Sequence, residues 1–206
     1  MSIFSFILKK LGTYQPSQAR IHQDILAMRE EVKEWQAVLI PWTKEENDLL
    51  SLTHTSKTVK TKIGKIKKGL FNSIYHEPML IYGFKEYMPN GKSALLYVNT
   101  KKWDFFYLIK KKSVIIYINN DLVGTLKANG QLISADGKRV YAEIDRTQNE
   151  LIPVTVGEQQ VGYIKNPDTV DTINPRAVQL LKTINDDEET IFFSLAIYEI
   201  IYRIIY

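Results

Sequence analysis

The chain has 206 residues, no cysteine, 27 Lys and Arg against 23 Asp and Glu, and a formal net charge of +4. The lack of cysteine excludes disulfides, thiolate nucleophiles and every cysteine-based zinc or iron–sulfur centre. A chain of this length buries a substantial core without such staples.

The start, MSIFSFILKKLG, has no basic n-region, and its apolar run from Ile3 to Leu8 is too short for a secretory leader. Phe4, Ile7, Leu8 and Leu11 recur there at i, i+3, i+4 and i+7, beside Lys9 and Lys10. That stripe could lie on an anionic membrane surface, but docking on the protein itself is the expected outcome. Ser17 is a candidate N-cap for a helix running to about Val38, with Ile21, Ile25, Met28, Val32 and Trp35 on one face. Pro41 stops it, because proline cannot donate the helical hydrogen bond. Thr43 and Glu46 form a capping box that predicts a short helix through Leu50. Residues 1–56 thus read as a helical N-terminal region.

From residue 57 short β segments follow, at 57–63, 65–70, 72–76, 79–87, 93–99, 103–110, 113–119, 122–127, 131–134, 138–145, 150–156 and 160–165. Many are rich in Val, Ile, Tyr and Phe. Turn residues separate them, as at Pro89-Asn90-Gly91, Asn119-Asn120-Asp121, Asn129-Gly130, Asp136-Gly137 and Val156-Gly157-Glu158. Three strand starts share the form aliphatic-Gly-x-aliphatic-Lys, with glycines at Gly64, Gly124 and Gly162. Glycine there permits a bulge or a close strand approach at a barrel corner. Asn174 and Pro175 predict a helix over 175–184. A final helix opens on Asp186, Asp187, Glu188 and Glu189, where negative charge favours a helix start. Residues 191–206 are apolar on every side, so that helix must be surrounded. They number too few and include Glu199 and Arg203, four apart and able to pair, which argues against a membrane span.

The expected fold is mainly β with a helical N-terminal arm: about twelve antiparallel strands closed into a barrel around an apolar C-terminal helix, over residues 57–206. A β-sandwich with flanking helices is the alternative. Short strands around an all-round apolar C-terminal helix, with Gly64, Gly124 and Gly162 at strand starts, resemble the tubby-like family, which includes phospholipid scramblases and LURP-one-related proteins. The likeness is architectural and carries no diagnostic motif. It implies binding, to phosphoinositides or other anionic lipids, or use as a protein scaffold.

Chemistry is sparse. His22, His54 and His76 lack metal-site spacing, no phosphate-binding glycine loop occurs, and Asp136, Glu143 and Asp145 are weak candidates for paired carboxylates. No catalytic residue, cofactor or metal is assigned. Charge is more informative: residues 57–112 hold 13 Lys and 3 acids, a net of +10, and no arginine. Lys60, Lys62, Lys65, Lys67, Lys68, Lys101 and Lys102 are the candidate contacts to anionic lipid. Without arginine, bidentate readout of nucleic acid is the weaker reading. The expectation is a non-enzymatic, cytoplasmic binding protein that touches the inner membrane surface peripherally. A protein-interaction scaffold using helix 17–38, with Trp35 and Trp42 as anchors, is the alternative.

Overall fold

A computed structural model describes residues 16–89, 92–170 and 172–206. The N-terminal stripe Phe4 to Leu11, the turn residues Asn90 and Gly91, and Asp171 lie outside them.

Helix α1 spans Gln18–Gln36 and is capped as expected, the Ser17 hydroxyl accepting from the Arg20 amide at 3.2 Å. One 12-stranded antiparallel sheet follows in which sequence neighbours pair throughout. Its strands are β1 (Leu50–Thr61), β2 (Gly64–Ser73), β3 (Pro78–Met88), β4 (Ser93–Thr100), β5 (Asp104–Lys110), β6 (Ser113–Ile118), β7 (Asp121–Lys127), β8 (Gln131–Ser134), β9 (Val140–Ile144), β10 (Leu151–Val156), β11 (Gln159–Lys165) and β12 (Val178–Leu180). Helix α2, Asp186–Ile205, ends the chain. The sheet curls into a nearly closed barrel: Ser51 bridges Arg176, Leu52 N–H donates to the Pro175 carbonyl at 3.0 Å, and Ala177 N–H to that of Leu50 at 2.7 Å.

The barrel interior is filled by α2. Phe192, Phe193, Leu195, Ala196, Ile197, Ile200 and Ile201 are buried in one cluster with inward-facing residues from around the sheet, Phe71, Leu96, Phe105, Ile116, Leu132, Val154 and Ile164 among them. The Tyr107 hydroxyl donates to the Ser194 carbonyl at 2.9 Å, and burial pushes its pKa well above the phenol range. The helix N-terminus is closed by a capping box between Asn185 and Glu188.

Three expected elements differ. The capping box at Thr43 and Glu46 supports only a 3-10 turn, Lys44–Glu46, and β1 already begins at Leu50, inside the expected helical region. Residues 72–76 are the end of β2 and a turn, where the Ser73 hydroxyl accepts from the Tyr75 and Glu77 amides. The 175–184 helix is absent, and its residues bridge β1 and form β12. Asn174, at φ 55°, is not a cap. Its side chain accepts from the Thr53 hydroxyl at 3.0 Å and ties that corner to β1. Pairing open edge groups of β1 and β11 outweighs the weak helical preference of this segment.

The repeated glycines divide into two kinds. Gly64 occupies a turn at φ 115°. Gly124 and Gly162 each follow a bulged valine, since Val123 and Val161 have no counterpart in the neighbouring ladders. A methyl group on Gly124 would strike the Ile133 carbonyl oxygen, and one on Gly162 would lie 2.5 Å from that of Gln179. Backbone cannot yield as a side chain can, so Gly124→Ala is expected to cost about 2–3 kcal/mol in chemical denaturation.

Helix α1 lies on the outer wall of the barrel. Met28 and Val32 pack with Ile66, Ile81, Leu95, Tyr97 and Phe106, the outward residues of β2 to β5. Its polar tie is Asp24, fully buried, which accepts from Lys85 Nζ at 2.8 Å, Tyr87 Oη at 2.6 Å and Arg20 Nε. Further along, Arg29 pairs with Asp104 at 3.0 Å and lies over the Phe106 ring. Asp24→Asn would leave Lys85 buried without its counter-ion, and an unfolding free energy lower by about 3–5 kcal/mol is expected.

Candidate ligand site at the basic end of the barrel

Antiparallel neighbours place the β1–β2, β3–β4 and β5–β6 turns at one end of the barrel. That geometry gathers Lys60, Lys62 and Lys65 with Lys92 and with Lys110, Lys111 and Lys112. The ends of β7, β9 and β11 add Lys127, Arg146 and Lys165. Lys60 lies directly opposite Lys65 in the β1–β2 ladder, a pairing of like charges that works against the hairpin.

The other candidates go elsewhere. Lys67 is half-buried. Lys68 is 8 % exposed, binds the Glu31 carbonyl and carboxylate, and lies with Lys57 over the Trp35 ring, so it fastens α1 to β2. Lys101 and Lys102 stand in the β4–β5 turn at the opposite end. There Lys102 Nζ holds the fully buried Glu189 carboxylate at 2.7 Å. That opposite end carries the four acids of the first turn of α2, whose charge complements the helix dipole, while Arg203 does the same in its last turn.

At the basic end a basin of about 470 Å³ opens beside the last turns of α2. Glu199 lies at its base with a side chain only 4 % exposed. Its carboxylate accepts from Arg146 Nη2 at 2.8 Å and Nε at 3.1 Å, and from Arg203 Nε at 3.0 Å and Nη2 at 2.9 Å. One carboxylate shared by two guanidiniums leaves an excess positive charge. Each arginine also keeps N–H donors that Glu199 does not use. Lys110, Lys112 and Lys127 rim the basin, with Asp168 the acid near Arg203, at 4.0 Å. Burial opposes the charge on Arg146, but the Glu199 hydrogen bonds outweigh it and raise its pKa. Burial also raises the pKa of Tyr198 and of Tyr202, so the basin presents neutral hydroxyls. The arrangement suits an anion.

The i,i+4 spacing of Glu199 and Arg203 was enough to expect their pair. Arg146, 53 residues from Glu199, joins them only because β9 ends at the barrel mouth, and no local pattern marks it.

The remaining candidates serve structure. His54 stacks on Phe71 with its Nδ1 at 3.0 Å from the Leu52 carbonyl, and His76 turns the β2–β3 connection at φ 66°. Asp136 and Asp145 lie beyond opposite ends of β9 and hold their own turns through Ser134 and Thr147, while Glu143 accepts from the Gln131 side chain across the β8–β9 ladder. Trp42 is buried against Trp103 and Phe193, and Trp35 lies under two lysines, so neither is a free anchor. Among the described residues no helix is long and apolar enough to cross a membrane, and no three His, Asp or Glu side chains group as a metal site. Comparison with protein-family models, curated proteins and solved structures found no match to this chain.

Glu199→Gln is expected to lower the unfolding free energy by about 2–3 kcal/mol, the low side for a buried pair because both arginines touch solvent. Adding Arg146→Gln should then cost less than it does alone, whereas strictly additive losses would mean that the two groups are uncoupled.

Proposed function

We propose that the protein is a non-enzymatic binding module that engages anionic phospholipid at a membrane surface through the basic end of its barrel. One observation carries this reading: lysines from three successive hairpins converge at a single end. Arg146 and Arg203 add to the same positive field. Lysine point charges suit a fluid array of phosphate groups, which demands attraction but no fixed bidentate geometry. The reading takes Lys60, Lys62, Lys65 and Lys110 to Lys112 as contacts. It omits Lys68 and Lys102, which are paired with Glu31 and Glu189, Lys67, which is half-buried, and Lys101, which stands at the opposite end.

A tubby-like relationship belongs to this proposal. A nearly closed barrel of 12 strands filled by the C-terminal helix supports it. Attachment to the cytoplasmic face of a membrane follows from the same electrostatics, because that leaflet carries the anionic lipid.

Co-sedimentation with vesicles provides the test. Binding is expected to phosphatidylserine-containing but not to neutral phosphatidylcholine vesicles, and to weaken as salt rises. The triple change Lys60→Glu, Lys62→Glu and Lys65→Glu should lower partitioning about a hundredfold, at roughly 1 kcal/mol for each lysine. Lys101→Glu should leave it nearly unchanged. Equal losses from both variants, or equal binding to neutral vesicles, would overturn the assignment.

A further inference from the structure

The outer face of β4, β5 and β6 changes chemistry in steps along the strands. Cross-strand partners form three rows. The first is Tyr97, Phe106 and Tyr117; the second is Leu95, Leu108 and Ile115; the third, nearest the basic end, is Ser93, Lys110 and Ser113. From the aromatic row to the lysine row is four residues, about 13 Å of strand. The N-terminal half of α1 forms one wall over these rows through Ile21 and Ile25, leaving a groove of about 460 Å³. That volume lies within the range of small-molecule sites.

Two features set this groove apart from an ordinary gap between helix and sheet. Leu108 and Ile115 are half-buried yet belong to neither hydrophobic cluster of the protein. And the groove holds one lysine and no arginine: Lys110 stands at its polar end, beside Ser93 in the groove and opposite Ser113, which lines the adjoining basin, while His22 lies on the α1 wall. Among the described residues Lys110 makes no ion pair. An aliphatic floor leading to a lone cation flanked by hydroxyls complements a single hydrocarbon chain that ends in an anion.

We propose that this groove binds a long-chain fatty acid, its carboxylate on Lys110 between Ser93 and Ser113 and its chain along Leu108, Leu95 and Ile115 toward the Phe106 ring. The groove shares Lys110 with the membrane contact proposed above, but its apolar floor, Leu108, Leu95 and Ile115, belongs to the groove, and variants there test it apart from that contact.

Isothermal titration of the full chain with decanoate, dodecanoate and tetradecanoate, each below its micelle concentration, tests the site without vesicles. One saturable site is expected, with Kd falling up to about fourfold for each added methylene. Methyl tetradecanoate, which lacks the charge, should bind at least tenfold more weakly. Lys110→Gln should weaken tetradecanoate binding about tenfold while keeping the dependence on chain length. Leu108→Glu should abolish binding, with Ile115→Thr as a milder change in the same row and thermal unfolding confirming that both variants fold. Absence of saturable binding, or binding indifferent to Lys110→Gln and to both groove variants, would overturn the proposal. So would binding that appears only when Leu8→Glu charges the chain's own apolar stripe, because the groove would then belong to that stripe.

Discussion

An α-helix that is apolar around its whole circumference cannot meet water on any side, and α2 imposes that demand on everything else in the molecule. A single flat sheet would cover one face of it. Twelve strands curled into a barrel cover all of them, and the hydrogen bonds from residues 175–177 to Leu50, Ser51 and Leu52 bring the two edges of the sheet together. The glycines at 124 and 162 and the bulges beside them belong to the same requirement, since a sheet that bends this sharply brings neighbouring backbones too close for a side chain.

Closing a meander of antiparallel strands has an electrostatic consequence. Alternate turns fall at opposite ends, so charges spaced along the chain sort into two groups. Lysines of the β1–β2, β3–β4 and β5–β6 turns fall at the end where α2 finishes, Lys110 to Lys112 beside its last turns, and acids lie with the helix start at the other end. Both groups oppose the helix dipole, which gives the polarity a structural benefit independent of any ligand.

Three deeply buried carboxylates do the fastening. Asp24 joins α1 to β3, Glu189 joins the start of α2 to the β4–β5 turn through Lys102, and Glu199 joins the end of α2 to Arg146. Such pairs add little net stability over an apolar core, but they penalise any register or orientation that separates the partners. Glu199 has a second consequence. It occupies the base of the basin as a resident counter-ion, so the outer donors of the two arginines and the rim lysines are the groups an incoming anion meets.

Much of this fold was legible in short stretches of sequence. Ser17 and the Ile21 to Trp35 stripe marked α1, turn residues marked the β3–β4, β6–β7, β7–β8, β8–β9 and β10–β11 connections, and the all-round apolar run at 191–206 required a helix inside an enclosure. Each of those signals lies within a few residues and depends on backbone preference or periodicity. Other features depended on groups far apart in the chain. Residues 175–184 became a barrel edge because β1 and β11 offered unpaired backbone. Lys68 and Lys102 left the set of available lysines because Glu31 and Glu189 came to lie beside them. Arg146 reached Glu199 across 53 residues. The sequence by itself determined the elements, the enclosed helix and the excess of lysine. Tertiary structure alone decided which of those lysines are neutralised and which remain free, because pairing is set by where the closed barrel places distant charges.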